Sequence, residues 1–208
     1  MVEVTGGHIP ARMNAGSSTS WLVLTHGAGG TIDDPLTAGL ASRLRARGLG
    51  VLETTFLYRA EGRRMPDRMI VLERTLREVT DYLVKRAKPA RLFLGGKSMG
   101  GRVAARIAKT VPSASGVCLL SYPLHPPSKI TEANLVDRRE TLRTIGLPTF
   151  VAQGTNDPFG GPTEIAQILP AATLFSVEGG DHDLAITRGV VSKTTLDELA
   201  TRLVAFIG

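Results

Sequence analysis

Short apolar runs alternate with longer amphipathic stretches along this chain from residue 21 onward. The apolar runs are rich in Val, Leu, Ile and Phe, which is typical of strands that are covered on both faces. This alternation predicts an α/β fold with a mostly parallel central sheet and helices on both of its faces. The predicted strands are Trp21–Thr25, Gly50–Thr55, Arg91–Leu94, Gly116–Ser121, Pro148–Gln153 and Thr173–Val177.

The amphipathic stretches predict the helices between these strands. The clearest helix runs from Asp67 to Arg86, where apolar side chains recur every three or four positions and charged side chains fill the other face. Pro89 follows it and marks its end, because proline cannot continue a helix. The other predicted helices are Pro35–Arg47, Met99–Lys109, Glu132–Thr144, Pro162–Ile168 and Lys193–Phe206.

Residues 1–20 do not follow this alternation. Gly6 and Gly7 predict the turn of an edge hairpin, and the polar segment Gly16–Ser20 predicts a turn into the first central strand. The chain shows no internal repeat, low-complexity segment or linker. We therefore expect residues 1–208 to form a single domain, which is large enough to bury its own core.

Basic residues outnumber acidic ones, with 25 Lys and Arg against 19 Asp and Glu and a formal net charge of +6. Such a balance raises the question of a nucleic-acid or other polyanionic partner. The arginines are spread along the chain, however, and few aromatic residues lie among them to stack bases. We expect a solvated basic surface and no nucleic-acid partner. The sequence carries no signal for a particular oligomeric state.

The chain has one cysteine, Cys118, which lies in an apolar run and is expected to be a buried strand residue. The N-terminal residues have neither the basic flank nor the apolar stretch of a signal peptide. No apolar run approaches the length of a membrane span. These features predict a cytoplasmic protein with no membrane partner.

A Gly-x-Ser-x-Gly motif, formed by Gly96, Ser98 and Gly100, lies between an apolar strand and a helix. This placement is typical of a nucleophile elbow, in which small flanking residues allow a tight turn and a strained serine exposes its hydroxyl. The serine would stand at a helix N-terminus, where free N–H groups stabilise developing negative charge. We interpret Ser98 as a catalytic nucleophile.

The same segment partly matches a phosphate-binding loop, because Gly96-Lys97-Ser98 resembles the end of Gly-x-x-x-x-Gly-Lys-Ser. The first glycine of that motif would have to stand where Arg91 is. The nucleotide interpretation therefore fails at its first required position.

A second glycine-rich segment, Thr-His-Gly-Ala-Gly-Gly at residues 25–30, follows the first central strand. In an α/β-hydrolase this loop and the residue after the nucleophile each supply a backbone N–H to the oxyanion hole, here Ala28 and Met99. The alternative is a plain glycine-rich turn. His26 suits a residue that braces the loop, and we do not expect it to be the general base.

The acid and the base of such a site should follow the serine in the order Asp or Glu and then His, each in a loop beyond a strand. Asp157 follows the predicted strand that ends at Gln153, and His182 follows the one that ends at Val177. We predict that Ser98 attacks the substrate, that His182 is the general base and that Asp157 orients the imidazole. The alternatives are a turn or helix-capping aspartate and a surface-loop histidine.

The four histidines show no metal-ligand spacing, and the Asp-His-Asp tripeptide at residues 181–183 cannot surround an ion unaided. We expect no metal and no cofactor. Asp181 and Asp183 are poorer candidates for the triad acid than Asp157, because neither can easily turn back onto the adjacent ring.

These motifs are accompanied by Tyr-Pro-Leu-His-Pro-Pro at residues 122–127. Together they resemble a small family of predicted α/β-hydrolases related to the dienelactone hydrolases, which includes the hydrolase-like region of a chromatin acetyltransferase complex subunit. The resemblance covers nearly the whole chain and implies the α/β-hydrolase fold and the same triad positions. Dienelactone hydrolases proper use a cysteine nucleophile where Ser98 stands here, so their lactone substrate is not implied.

The segment between Ser121 and Pro148, where larger hydrolases insert a cap domain, holds only a proline-rich loop and one predicted helix. We expect an α/β-hydrolase fold with a minimal cap and an open site for a small or accessible acyl substrate. Tyr58, Tyr122 and Phe159 are candidate walls of that site.

The predicted function is carboxylesterase-like hydrolysis of an ester-type bond through an acyl-enzyme on Ser98. Two alternatives stay open, namely a non-catalytic hydrolase-fold scaffold for an acidic partner or nucleic acid, and a serine peptidase. Arg63, Arg64 and Arg68, in a loop beyond a neighbouring strand, are candidates to attract anionic substrates over long range.

Overall fold

The computed structural model describes residues 1–13, 18–125, 132–187 and 189–208 of the chain. Strands and helices alternate over most of this range. The strands are β1 (Val2–Val4), β2 (Gly7–Ile9), β3 (Ala11–Met13), β4 (Ser20–Thr25), β5 (Gly50–Thr54), β6 (Arg91–Lys97), β7 (Ala114–Leu120), β8 (Thr149–Gly154) and β9 (Thr173–Val177). The helices are α1 (Pro35–Ala46), α2 (Leu57–Ala60), α3 (Met69–Ala87), α4 (Met99–Ala108), α5 (Glu132–Arg143), α6 (Pro162–Ile168) and α7 (Lys193–Ile207).

The main sheet of the described residues has seven strands, in the order β3-β5-β4-β6-β7-β8-β9. The strands from β4 to β9 pair in parallel, and β3 joins β5 antiparallel at one edge. Parallel neighbours need a crossover connection, which the intervening helices provide. The predicted mostly parallel sheet is therefore confirmed.

Strand order reverses at β4, since the chain passes to β5 on one side of it and then crosses to β6 on the other. At such a switch point the connections diverge and leave a crevice at the carboxyl ends of the strands, which is where open α/β sheets bind ligands. The loops that follow β4 and β6 meet at this crevice.

Helices cover both faces of the sheet because successive strand residues point to opposite sides. Trp21 and Val23 of β4 pack into one hydrophobic cluster with side chains of α3 and α4. Leu22 and Leu24 pack into a second cluster with side chains of α1 and α7. Full burial of one such side chain stabilises the fold by about 2 kcal/mol. The prediction of helices on both faces is confirmed.

The predicted element boundaries differ from the structure most at glycines. The strand predicted to end at Leu94 continues to Lys97, because Gly95 and Gly96 still pair with β7. A Cβ on Gly95 would lie 2.6 Å from the carbonyl oxygen of Cys118. Glycine here allows two strands to approach closely and does not end the strand.

The N-terminal segment contains the predicted hairpin, with its turn at Thr5 and Gly6, one residue earlier than expected. β1 and β2 form a separate two-stranded sheet, and β3 is the strand that lies at the edge of the main sheet. The turn predicted at Gly16–Ser20 falls partly outside the described residues. The helix α2 is absent from the predicted elements because four residues are too few to show a helical period.

Cys118 is buried within β7, as predicted. In the part of the chain that the structure describes, none of the helices is both long enough and apolar enough to span a bilayer.

Candidate active site

Ser98 lies between β6 and α4 with a backbone conformation of φ 52° and ψ −112°. A residue with a Cβ occupies this region only where its surroundings hold it there. Its N–H donates to the carbonyl oxygen of Leu120 at 2.8 Å. A Cβ on Gly96 or on Gly100 would lie 2.4 Å from the Thr25 hydroxyl. Both glycines of the motif are thus required by close packing, and the segment has the geometry of a nucleophile elbow.

His182 contacts Ser98 and Asp157 through its two ring nitrogens. Nε2 lies 2.9 Å from the Ser98 hydroxyl oxygen, and Nδ1 lies 2.8 Å from Oδ2 of Asp157. A carboxylate can only accept a hydrogen bond, so the ring hydrogen is on Nδ1 and Nε2 accepts from the hydroxyl. This is the tautomer that a general base requires. The structure thus brings together the three side chains that the sequence predicts as a triad.

Asp157 is held by Gln153, a residue that the sequence prediction missed. The Gln153 amide donates to Oδ2 of Asp157 at 2.9 Å and to the carbonyl of Gly160 at 2.7 Å. Its amide oxygen accepts from the N–H of Tyr122 at 2.8 Å. The N–H of Phe159 donates to Oδ1 of Asp157 at 2.9 Å. Both oxygens of this buried carboxylate are therefore satisfied, which removes the free-energy cost of burying it unpaired.

His26 braces the loop after β4, as the sequence suggests. Its Nε2 lies 2.6 Å from the Thr55 hydroxyl and accepts the N–H of Phe56 at 3.2 Å. Nδ1 therefore carries the hydrogen and donates to the carbonyl of Gly27 at 2.6 Å. Burial lowers the pKa of His26, and the hydrogen bond to Gly27 only partly offsets it. A Cβ on Gly27 would lie 3.5 Å from the Cβ of Ser98, so this loop lies directly against the elbow.

Ala28 and Met99, the predicted oxyanion-hole residues, line one cavity with Ser98. The hydroxyl of Tyr58 donates to the Ala28 carbonyl at 2.6 Å and holds the loop there. Burial raises the pKa of Tyr58 to about 12, so it carries its proton at neutral pH. The N–H of Met99 lies in the first turn of α4, where no helix carbonyl precedes it to accept a hydrogen bond.

A partly buried ion cluster centred on Lys97 was also missed. The ammonium of Lys97 lies 2.9 Å from Oδ2 of Asp34 and also pairs with Asp183. Lys97 directly precedes Ser98, Asp183 directly follows His182, and Asp34 caps the start of α1. Burial acts to lower the pKa of Lys97, but the two carboxylates outweigh it and the pKa lies above its ordinary value. The cluster therefore ties the elbow to the loops on either side of it.

A cavity of about 770 Å³ opens beside Ser98 and His182. Phe159 lines this cavity. Its ring contacts the His182 ring edge to face, with the ring centres 4.6 Å apart. The expectation that Tyr58 and Tyr122 also form its walls is wrong, because both are fully buried and neither lines it. Their hydroxyls reach backbone carbonyls, which allows both rings to lie in the core.

The arginines predicted to attract anionic substrates do not line this cavity. Arg63 instead pairs with Glu61 and Asp67 on the surface. The arginines of the cavity wall are Arg102 and Arg138, which the sequence prediction did not single out. Within the described residues, no group of three or more His, Cys, Asp or Glu side chains is placed to hold a metal ion.

A family model described as an alpha/beta hydrolase domain matches residues 18–208. A solved alpha-beta serine hydrolase homologue from Coxiella burnetii matches with a TM-score of 0.77 and 15% identity, over 100% of this chain and 95% of that chain. Est1E from Butyrivibrio proteoclasticus, solved with ferulic acid bound, matches with a TM-score of 0.77 and 12% identity, over 96% of this chain and 95% of that chain. A serine hydrolase described as being without a lid, from Xanthomonas campestris, matches with a TM-score of 0.72 and 16% identity, over 99% of this chain and 91% of that chain. At these identities the solved structures establish the fold.

Proposed function

This chain belongs to the alpha/beta hydrolase domain family, and we propose that it is a serine hydrolase that cleaves ester-type acyl bonds. In this proposal Ser98 is the nucleophile, His182 the general base and Asp157 the acid that orients the imidazole. The observation that carries it is the continuous hydrogen-bonded path from the Ser98 hydroxyl through both nitrogens of His182 to Asp157. Such a path makes a weakly nucleophilic hydroxyl reactive at neutral pH.

The reaction proceeds in two half-reactions. Ser98 Oγ attacks the carbonyl carbon while His182 takes the hydroxyl proton, and the protonated ring then gives that proton to the departing alcohol. A water molecule attacks the acyl-enzyme in the same way, loses a proton to His182 and releases the carboxylic acid as Ser98 regains its proton. Asp157 keeps the hydrogen of the ring on Nδ1 and stabilises the imidazolium that forms in each half-reaction.

The N–H groups of Ala28 and Met99 are proposed to bind the oxyanion of each tetrahedral intermediate. Two observations support the pair, namely that both residues line the cavity beside Ser98 and that the Met99 N–H stands at the start of α4. The helix dipole adds positive potential at that position. Preorganised donors of this kind are worth roughly 3–4 kcal/mol of transition-state stabilisation.

We also propose a small or accessible acyl substrate and a carboxylesterase-like specificity. The short connection between β7 and β8 supports an open site, and the similarity to a serine hydrolase without a lid agrees with it. The relation to dienelactone hydrolases and a cytoplasmic location are parts of the same proposal. The pairing of β3 with β5 supports one domain over residues 1–208, because it joins the N-terminal segment to the sheet that the family model covers.

Fluorophosphonate labelling and hydrolysis of p-nitrophenyl esters of graded chain length test this proposal. Ser98→Ala should abolish labelling and lower kcat by roughly 10³-fold or more. Ser115, whose hydroxyl accepts a backbone N–H at the opposite end of the sheet, provides the control variant Ser115→Ala, which should keep both activities. Full labelling and turnover in Ser98→Ala would refute the nucleophile.

The same assay separates the alternatives. A wild-type protein that is neither labelled nor active on any ester would favour a scaffold, which a salt-dependent complex with DNA or RNA would then support. Peptide substrates tested beside the esters distinguish a serine peptidase from an esterase.

A further inference from the structure

Two arginines stand in the cavity wall near the proposed nucleophile. Arg102 lies one helical turn after Ser98, and its N–H donates to the Ser98 carbonyl at 3.0 Å. Side chains on a helix lean toward its N-terminus, so the guanidinium is directed toward the elbow end of α4. Arg138 belongs to α5, in the short connection between β7 and β8, and lines the same cavity.

The acidic residues of the cavity wall do not neutralise these arginines, because each of them already has a cationic partner. The pairs are Asp33 with Arg12, Asp34 and Asp183 with Lys97, and Asp67 with Arg63. These four carboxylates therefore pair with three cations, Arg12, Lys97 and Arg63, and none of them pairs with Arg102 or Arg138.

Arg138 is a desolvated cation without an acidic partner among the described residues. It is 9% exposed, and its Nη1 donates to the carbonyls of Pro123 at 3.0 Å and His125 at 2.9 Å. Its Nε is buried with no acceptor. Among the described residues, the carboxylate within ion-pair distance of Arg102 is that of Asp137, at 3.6 Å. Asp137 also pairs with Arg106, so the described carboxylates do not fully compensate the charges of Arg102 and Arg138.

The protein bears a cost for this arrangement that an anion would relieve. Burial, together with the nearby charge of Arg102, lowers the pKa of Arg138 to about 10, and the group stays protonated at neutral pH. An unpaired charge in a low-dielectric setting is unfavourable, and a charge-assisted contact there is stronger than one in water. The two carbonyls hold the guanidinium in place before any ligand arrives.

We propose, on the basis of the proposed function, that Arg102 and Arg138 form a subsite for a negatively charged group of the substrate. The rest of the wall is largely apolar, with Pro66, Met69 and Leu72 beside Phe159. The substrate class is therefore an ester with an apolar body and an anionic substituent, such as a carboxylate, within reach of the scissile bond.

Matched pairs of anionic and neutral esters test the subsite. Mono-p-nitrophenyl adipate is compared with p-nitrophenyl hexanoate for a charge on the acyl side, and 4-carboxyphenyl butyrate with 4-carbamoylphenyl butyrate for a charge on the alcohol side. Rates are corrected for uncatalysed hydrolysis. In the wild type, kcat/KM for the anionic member of at least one pair should exceed that of its neutral partner about tenfold.

Variants of single arginines show which side chain causes the preference for the anionic ester. Arg138→Met should reduce the preference for the anionic ester to about twofold or less, because the anionic ester loses more of its rate than the neutral ester does. Arg102→Met should reduce the preference partly. Arg139→Met removes the same charge from the neighbouring position of α5, which does not line the cavity, and should leave the preference unchanged. If Arg138→Met does not fold, Arg102→Met and the wild-type ratio decide.

The outcomes separate the subsite from the proposed function. Equal rates for both members of both pairs overturn the subsite and leave the esterase intact. An equal loss on both members in Arg138→Met shows a purely structural role and also overturns it. A preference that falls equally in Arg139→Met points to the general surface charge and overturns it as well. If fluorophosphonate does not label the wild type and no ester is cleaved, the proposed function itself fails.

Discussion

Two histidines in this molecule hold the same tautomer and place Nε2 next to a hydroxyl group, but their surroundings differ. Nε2 of His182 lies 2.9 Å from the hydroxyl of Ser98, and Nε2 of His26 lies 2.6 Å from that of Thr55. Nδ1 of His182 donates to the carboxylate of Asp157, whereas Nδ1 of His26 donates to a backbone carbonyl. His182 lines the cavity, and His26 is 1% exposed.

The difference shows what separates a candidate base from a structural brace. A carboxylate behind the ring stabilises an imidazolium, and a neutral carbonyl does so far less. The Nε2 atom of His26 also accepts the N–H of Phe56, so it has no free capacity for a proton. A hydroxyl beside an imidazole is thus not enough to indicate catalysis, and the acid, the exposure and the unoccupied acceptor are all needed.

Asp157→Asn should have the largest effect, because it gives Nδ1 of His182 a neutral partner like that of His26 and so removes the main difference between the two histidines. Either orientation of the new amide sets an NH₂ against a donor, which is Nδ1 of His182 or the N–H of Phe159. We expect kcat for a neutral ester to fall roughly 10³-fold or more, as measured from steady-state rates.

The control for this variant is Asp181→Asn in the same loop as His182. Oδ1 of Asp181 accepts the N–H groups of Asp183 and Ala185, and the asparagine oxygen can do the same. Its rate should stay within about threefold of the wild type. If Asp157→Asn kept more than about a tenth of the wild-type kcat, Asp157 would not be the orienting acid.

Lys97 is where the two histidine regions meet, because Asp34 follows the loop of His26 and Asp183 follows His182. Lys97→Met should lower kcat about tenfold, because the segments that carry Asp34 and Asp183 lose their common ion-pair partner and are held less accurately relative to Ser98. KM for a neutral ester should stay within about twofold, because the apolar wall is intact. Stability should fall by about 2 kcal/mol, less than for a fully buried pair, because the side chain of Asp183 is 50% exposed.

Active-site titration with fluorophosphonate distinguishes positioning from simple unfolding. A lower kcat per labelled site supports a positioning role for Lys97, and an unchanged kcat per labelled site contradicts it. Asp183→Asn keeps the pair between Lys97 and Asp34 and should cause a smaller loss, of about threefold.

The sheet, the elbow and the triad order could be predicted because each leaves a local signal. Apolar runs indicate buried strands, and Ser98, Asp157 and His182 each follow one of them. The predicted end of β6 was wrong at Gly95, because a glycine required for close strand approach is indistinguishable in sequence from one that ends a strand. Chain order also placed the proposed acid, Asp157, before the proposed base, His182, without any knowledge of the distance between them.

The contacts that hold the three residues of the proposed triad could not be predicted, because their partners are distant in sequence. Gln153 reaches Tyr122 and Lys97 reaches Asp34 only because β7 lies beside β8 and because the loops of β4 and β6 meet at the switch point. A polar side chain at the end of an apolar strand is the available signal for Gln153. The periodicity of the sequence does not indicate which side chain Gln153 contacts.

The smallest effect is a pH dependence of stability that arises from His26 and not from catalysis. Burial lowers the folded-state pKa of His26 below the unfolded value near 6.5, so the unfolded chain binds the proton more readily. The stabilisation is complete above about pH 6.5 and is lost as the pH falls toward the folded-state pKa. Protonation would place a hydrogen on Nε2 against the N–H of Phe56.

Urea unfolding of the wild type and of His26→Asn at about pH 7.5 and about pH 5.5 isolates this contribution from the carboxylates, which titrate in both proteins. His26→Asn lowers stability at both values because it removes the hydrogen bonds of the ring. The wild type should lose more of its unfolding free energy between the two pH values than His26→Asn does. An equal loss would mean that His26 takes up a proton as easily in the folded protein as in the unfolded chain, which would contradict the effect of burial on its pKa.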